Sequence, residues 1–198
     1  ADGVLYTRAG PEIAVASTKA FTTQIVACLV LALYLAQRKE RLFASEARDV
    51  LDRLDALPAL VQRVVADDAA VLAAAERFKD VGYTMFIGRH GGLPIAYEGA
   101  LKLKEVSYLH AEAFPAGEMK HGPIALIEPG SLVVAVAHEG HVFAKMVSNI
   151  QEVRARGASV LAVTTASSRD ALAEHADVVL TVPDVPHELA APVLTVLP

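Results

Sequence analysis

The run Tyr83-Thr84-Met85-Phe86-Ile87-Gly88-Arg89-His90-Gly91-Gly92-Leu93-Pro94 decides how this chain folds. Tyr83 to Ile87 form a short apolar stretch that reads as a strand buried on both faces. It stops at Gly88-Arg89-His90-Gly91-Gly92. Pro94 then falls in the first turn of a helix, where its missing N–H is no loss, and the spacing carries that helix to about Leu109. Three more apolar strands are predicted, at Leu132 to Ala137, Ser159 to Thr164 and Asp177 to Val182. A helix over Val142 to Arg156, stopped by Gly157, separates the first two. Short apolar strands alternating with helices require right-handed crossovers between parallel strands. The expected fold is therefore an α/β three-layer sandwich around a parallel sheet. Ligands of such sheets gather at the carboxyl ends of the strands, which points to Gly88–Gly92 and the helix it feeds.

Upstream, residues 1 to 16 read as irregular, punctuated by Gly3, Gly10 and Pro11. Ser17 or Thr18 can cap a helix that runs to about Gln37, apolar on nearly every side and hence expected to be buried in a core or an interface. Its run Ile25 to Ala36 falls short of the ~20 residues that span a bilayer, so no membrane partner is expected. From Ser45 to Lys79 the pattern turns amphipathic, with Val50, Leu51, Leu54 and Leu57 at helical spacing. Short helices broken near Pro58 and at Asp67-Asp68 are predicted there, followed by the sheet from about residue 80.

The 198 residues are 54% hydrophobic, enough for one sizeable core, and 18 basic against 23 acidic residues leave a net charge of -5. No basic run exceeds Arg38-Lys39, which argues against a nucleic-acid partner. Cys28 is the single cysteine, so disulfides within the chain and thiolate metal clusters are excluded; it reads as a buried small hydrophobe. His138, His141, His175 and His187 follow no common zinc spacing, and no metal is expected. No signal peptide opens the chain, and a cytoplasmic location is expected. Ala1 is not a Met, and Pro198 follows directly on the apolar run Pro192 to Leu197. The sequence is accordingly read as a piece of a longer protein.

On the helix from Pro94, Glu98, Lys102 and Glu105 lie at i, i+4 and i+7 and share one face. Ile95, Gly99, Leu103 and Val106 form a different stripe, expected to meet the sheet. By spacing alone the charged face is a solvated salt-bridge ladder. A loop follows at once, Ala111-Glu112-Ala113-Phe114-Pro115-Ala116-Gly117-Glu118-Met119-Lys120-His121-Gly122-Pro123, mixing Gly, Pro and charge inside an apolar region. Loops of this kind, held by rigid elements, tend to carry function. His121 stands before Gly-Pro, which restricts the backbone that presents its imidazole.

Glu98-Gly-Ala-Leu-Lys-Leu-Lys-Glu-Val-Ser-Tyr-Leu-His-Ala-Glu-Ala-Phe-Pro-Ala-Gly-Glu-Met-Lys-His-Gly-Pro-Ile-Ala-Leu-Ile127 resembles the isomerase half of the glutamine–fructose-6-phosphate transaminase family. Leu5-Tyr-Thr-Arg-Ala-Gly-Pro-Glu-Ile-Ala-Val-Ala-Ser-Thr-Lys-Ala-Phe-Thr-Thr-Gln24 is similar to the same family, as is Asn149-Ile-Gln-Glu-Val-Arg-Ala-Arg-Gly157. In that family the isomerase half is a pair of flavodoxin-like sugar-isomerase (SIS) domains. The resemblance implies that residues 1–40 end a first SIS domain, 41–79 form a helical linker, and 80–198 are most of a second. It implies that Glu105 moves a proton between C1 and C2 of the sugar. It further implies that His121 assists ring opening in the site of a neighbouring subunit, with Lys102 and Glu98 lining the pocket. Glu12, Val15 and Ser17 would touch the sugar, partly through backbone atoms. Fructose 6-phosphate and glucosamine 6-phosphate are the implied ligands, a homodimer or larger assembly the implied state, and no cofactor is implied.

A base that takes a proton from one carbon and returns it to the next is well served by a carboxylate of raised pKa. A partly buried helix face would raise it, while Lys102 one turn earlier would oppose the rise. The sequence leaves that contest open. Three parts of the family's machinery are absent: the glutaminase domain, the Ser/Thr-rich phosphate loop of the first SIS domain, and the tail lysine that forms a Schiff base. Here the turn His138-Glu139-Gly140-His141 has no hydroxyl, and Thr164-Thr165-Ala166-Ser167-Ser168-Arg169 reads as a capped loop. The phosphate is therefore expected on the missing domain, and the piece alone is expected to be inactive. The alternatives are another SIS sugar-phosphate isomerase or deaminase, and a non-catalytic phosphosugar-sensing SIS module.

Overall fold

A computed structural model describes residues 2–185 and 193–198. The chain divides into two compact units, Ala1–Gln62 and Arg63–Pro198. The first holds helix α1 (Lys19–Arg38) and most of α2 (Ala44–Val65). The second is built on five parallel strands: β1 (Tyr83–Gly88), β2 (His110–Pro115), β3 (Leu132–Val136), β4 (Ser159–Thr165) and β5 (Val178–Val182). Helices α3 (Ala69–Phe78), α4 (Gly92–Ser107), α5 (Phe143–Ala155) and α6 (Arg169–Ala173) surround them. The strand order β2-β1-β3-β4-β5 is the doubly wound order expected of a flavodoxin-like sheet.

Alternation along the strands sorts the core into two layers. Met85, Ile87, Val133, Ala135, Val160 and Ala162 pack with Met146, Ile150 and Val153 of α5 and with Leu172 of α6. On the opposite face, Val163 and Leu180 pack with Ala74 of α3, and α4 lies so close that a Cβ on Gly99 would meet the Phe86 ring at 2.7 Å. Sheet and two helical layers make the three-layer sandwich that the apolar strand runs predict.

Four local expectations are corrected. Residues 110–115 belong to a strand, not to a loop: His110–Pro115 pairs with β1 along its whole length, from Tyr83↔His110 to Gly88↔Pro115. Its alanines and glutamate are weak strand formers, so the pairing partner and not intrinsic preference makes it a strand. α2 runs through Pro58 without a break, carried by helix formers on both sides; the break at Asp67-Asp68 does occur. Of the stripe expected to meet the sheet, Ile95 is buried but Val106 is 70% exposed, because α4 is near its end there. Finally, α1 has no buried residue and Cys28 is exposed. An all-round apolar helix needs neighbours on every side, and the first unit offers little besides α2. By length and composition alone, the 20 residues of α1 are enough to cross a membrane.

The turn from β1 to α4 sets the site. A Cβ on Gly88 would lie 2.3 Å from the carbonyl oxygen of Gly92, and one on Gly92 would lie 2.9 Å from the carbonyl oxygen of Val136. The chain turns back so tightly that only glycine fits. Gly92 N–H donates to the Arg89 carbonyl at 2.9 Å and Leu93 N–H to that of His90 at 3.1 Å, closing the first turn of α4. At the other end Tyr108 takes a left-handed conformation, φ 61°, and its N–H donates to the Lys104 carbonyl, stopping the helix in time for β2. Gly88→Ala should therefore cost about 2–3 kcal/mol or more in urea denaturation through overpacking. Gly82→Ala, with nothing within 4 Å of the new carbon, is the control and should be close to neutral.

Candidate functional site

α4 carries Glu98, Lys102 and Glu105 on one face, as their spacing requires. The Lys102 ammonium donates to Glu105 Oε2 at 2.6 Å and stands 3.5 Å from Glu98 Oε1. The three side chains are partly shielded: Glu98 keeps 14% of its side-chain exposure and Lys102 22%, while Glu105, at 31%, stands at an exposed position. The ammonium therefore joins two carboxylates that would otherwise repel across the helix face. Burial works against its charge, but the hydrogen bond to Glu105 and the charges of Glu98 and Glu105 outweigh that effect and hold its pKa above the ordinary 10.5.

His121 lies on a separate element, a single 3-10 turn over Met119–His121. Its ring is exposed and, among the described residues, makes no hydrogen bond or ion pair with the α4 face. The loop that carries it is firmly seated. Ala116 N–H donates to the Gly88 carbonyl at 3.0 Å, and Met119 is wholly buried in the core. Gly117 lies against the Arg89 guanidinium, near enough that a Cβ there would meet it at 3.0 Å. After the turn, Gly122 adopts φ 149°, a conformation that favours glycine.

A polar chain that the sequence reading did not single out runs beneath this loop. Arg89 Nε donates to Asn149 Oδ1 at 2.8 Å, Asn149 Nδ2 donates to Glu152 Oε2 at 3.1 Å, and Glu152 Oε1 pairs with Lys120 Nζ at 2.7 Å. Burial would raise the Glu152 carboxyl, yet its contacts with Lys120 and Asn149 and the charges of Lys120 and Arg89 hold it below the ordinary range. The available signals were Arg89 directly after a strand and the Asn149–Gly157 block.

Glu12, Val15 and Ser17 belong to the first unit. Glu12 Oε2 accepts from Ser17 Oγ at 3.2 Å and from Ala20 N–H at 3.4 Å, so the carboxylate caps the start of α1. Lys19 donates to the Pro11 carbonyl at the same helix start. Val15 is almost fully exposed. In the second unit the hydroxyls after β4 are already engaged. Ser167 N–H donates to Asp184 and Ser167 Oγ to Glu139, while Thr164 Oγ1 donates to the Ala137 carbonyl. A phosphate there would meet two carboxylates. Among the described residues no cluster of His, Cys, Asp and Glu is placed to hold a metal ion; His187 lies outside them.

Comparison with known proteins agrees with the architecture. Residues 80–198 match the SIS domain family. The chain is 49% identical over 202 residues to the glutamine–fructose-6-phosphate aminotransferase [isomerizing] of Corynebacterium efficiens, and 48% identical over 197 residues to that of Thermus thermophilus. Both matches take in 100% of this chain and 32% of the relative, so the chain spans about a third of their length. The solved C-terminal domain of glucosamine-fructose-6-phosphate aminotransferase from Francisella tularensis superposes with a TM-score of 0.91 at 40% identity, over 96% of this chain and 53% of that one.

The raised pKa of Lys102 has a measurable consequence. The folded form binds this proton more tightly than the unfolded form, so the ladder's contribution is complete below 10.5 and is lost as pH rises through the folded value. Lys102→Met should cost roughly 0.5–1 kcal/mol near neutral pH, the scale of two helical ion pairs. Urea denaturation of both forms across alkaline pH should show a constant difference up to about pH 9.5 that shrinks above it. A difference that grew with pH would contradict the assignment.

Proposed function

This chain belongs to the SIS domain family, and we propose that it forms part of the isomerase half of a glutamine–fructose-6-phosphate aminotransferase. The observation that carries this reading is the partly shielded Glu98–Lys102–Glu105 face on α4, in a chain nearly half identical to aminotransferases of that name. A ladder built only for solubility would stand in water. This one is partly withdrawn from it at Glu98 and Lys102, on the helix that begins at the carboxyl end of β1.

Glu105 is the base. It takes a proton from C1 of the open-chain sugar, and the C–H electron pair forms a C1=C2 bond as the double bond from C2 to its oxygen or nitrogen opens. Return of the proton to C2, with loss of the proton on O1, leaves the carbonyl at C1. A single carboxylate can serve both carbons because they are adjacent. Lys102 sits 2.6 Å from that carboxylate and fixes its orientation; its positive charge also offsets negative charge that develops on the sugar oxygens. Glu98 holds Lys102 from the other side. His121 opens the sugar ring by exchanging a proton with the ring oxygen and the anomeric hydroxyl, a transfer for which imidazole carries both a donor and an acceptor nitrogen. The family resemblance assigns it to the active site of a neighbouring subunit, and its exposed position on a turn separate from α4 is compatible with that role. Glu12, Val15 and Ser17 of the first unit are retained as candidate sugar contacts on the family resemblance alone, and the phosphate is assigned to a part of the protein outside this chain.

The sugar-phosphate deaminase and phosphosugar-sensor readings are weaker. A sensor needs no base bridged to a lysine, and the relatives at nearly half identity described above are named aminotransferases, not deaminases.

The full-length protein that contains this chain should form glucosamine 6-phosphate from fructose 6-phosphate and glutamine. Glu105→Gln should lower kcat by about 10²- to 10⁴-fold, with fructose 6-phosphate binding retained. His121→Ala should lose less, and the loss should be smaller with a substrate analogue that cannot cyclise. Full activity in Glu105→Gln would show that the base lies elsewhere.

A further inference from the structure

The Asn149–Gly157 block and Arg89 have no part in the proton transfers described above, yet they converge on the loop that carries His121. We infer that Glu152 is a positioning residue for His121, acting through Lys120 and held in turn by Asn149 and Arg89. This inference rests on the reading of His121 as the ring-opening residue.

A 3-10 turn has three residues per turn, so consecutive side chains point roughly 120° apart. In the turn Met119–His121 two of the three directions are already assigned. Met119 points into the core and is wholly buried, and Lys120 reaches Glu152 on α5 at 2.7 Å. His121 is left with the remaining direction, away from the core and from α5. Releasing Lys120 from Glu152 frees the turn to roll about the Met119 anchor. Gly122, at φ 149° in a conformation that favours glycine, follows the turn directly, and no side chain there braces it.

Glu152 is itself fixed before it meets Lys120. Its other carboxylate oxygen accepts from Asn149 Nδ2, and the Asn149 carbonyl oxygen is taken by Arg89 Nε. Asn149 is buried, so these bonds form in a shielded setting where a lost partner is costly. Arg89 leaves β1 at the turn that launches α4 and covers Gly117 of the His121 loop. Arg156, one turn beyond Glu152, donates to the Ile124 carbonyl at 3.4 Å and ties down the far side of the loop. Residues 149 and 152 of α5, with Arg156 at its C-cap, thus serve as the bracket for the loop, and Lys120 is the contact next to the imidazole.

The test uses the full-length protein with histidine labelled at the ring Cε1 carbon, the His121 resonance being assigned by its loss in His121→Ala. The wild type should show one narrow His121 line. Glu152→Gln and Lys120→Met should each broaden or shift it and lower kcat by about tenfold with KM within about twofold, as expected of a misplaced group. Lys120→Arg, which keeps charge and reach, should retain the wild-type line and rate. The double variant Lys120→Met/Glu152→Gln should be no worse than either single change, because both break one contact. An unchanged His121 line in Glu152→Gln would overturn the inference. So would rate losses that add in the double variant, which would place Lys120 on the substrate itself. Should Glu152→Gln fail to fold, Lys120→Met changes a side chain 58% exposed and carries the same comparison. If His121→Ala leaves isomerisation intact, the functional reading fails, while the resonance still decides whether Glu152 positions the ring.

Discussion

The site depends on the absence of a side chain at Gly88. Its Cα lies so near the Gly92 carbonyl that no other residue could end β1 and still let the chain turn directly into α4. The same residue's carbonyl accepts the N–H of Ala116, the first residue after β2. One glycine therefore fixes both the helix that carries Glu98, Lys102 and Glu105 and the loop that carries His121. Gly88 itself lies where a doubly wound sheet gathers ligands, at the carboxyl ends of strands where the order reverses between β1 and β3, whereas Glu105 stands two residues before the far end of α4. Close packing of backbone on backbone leaves little room for relaxation, so the geometry of both elements is inherited from a steric constraint.

Much of this was legible in the sequence because burial on both faces writes a simple pattern. β1, β3, β4 and β5 are predominantly apolar runs, and their alternation with helices is enough for the parallel sandwich. β2 was not legible. His110-Ala-Glu-Ala-Phe-Pro115 lies at the sheet edge, pairs on one side only, and has no apolar run to mark it. An edge strand of this kind is specified by its neighbour's backbone, which no local pattern encodes. Pro58 failed in the opposite sense, because a helix breaker was read locally where the flanking helix formers prevail.

The candidate site divides in the same way. Spacing alone placed Glu98, Lys102 and Glu105 on one face, since helical geometry is periodic. The partial shielding of Glu98 and Lys102 was not visible, because helical periodicity carries no information on what packs against a face. The Arg89–Asn149–Glu152–Lys120 chain joins residues from β1's exit, α5 and the His121 turn, with a separation of 60 positions between its first two members. A contact of that range leaves no local periodicity. It shows in the sequence only as polar residues at positions that would otherwise be assigned to solvent.

On the proposed reading, the placement of Glu105 and His121 follows from the edge position of β2. α4 and the His121 loop flank the one strand that lies at that end of the sheet, and the loop leaves the strand after Pro115. A residue anchored beyond the last strand can project from its own domain more readily than one rooted in the sheet centre. The chain uses that freedom selectively: Met119 and Lys120 tie the turn inward, and His121 alone is turned out. The base needs the opposite treatment, a carboxylate held on a rigid helix beside a cation that stays charged across the physiological range. Two groups with such different requirements are best carried by different elements, and a dimer can then reunite them by offering the histidine of one copy to the carboxylate of the other.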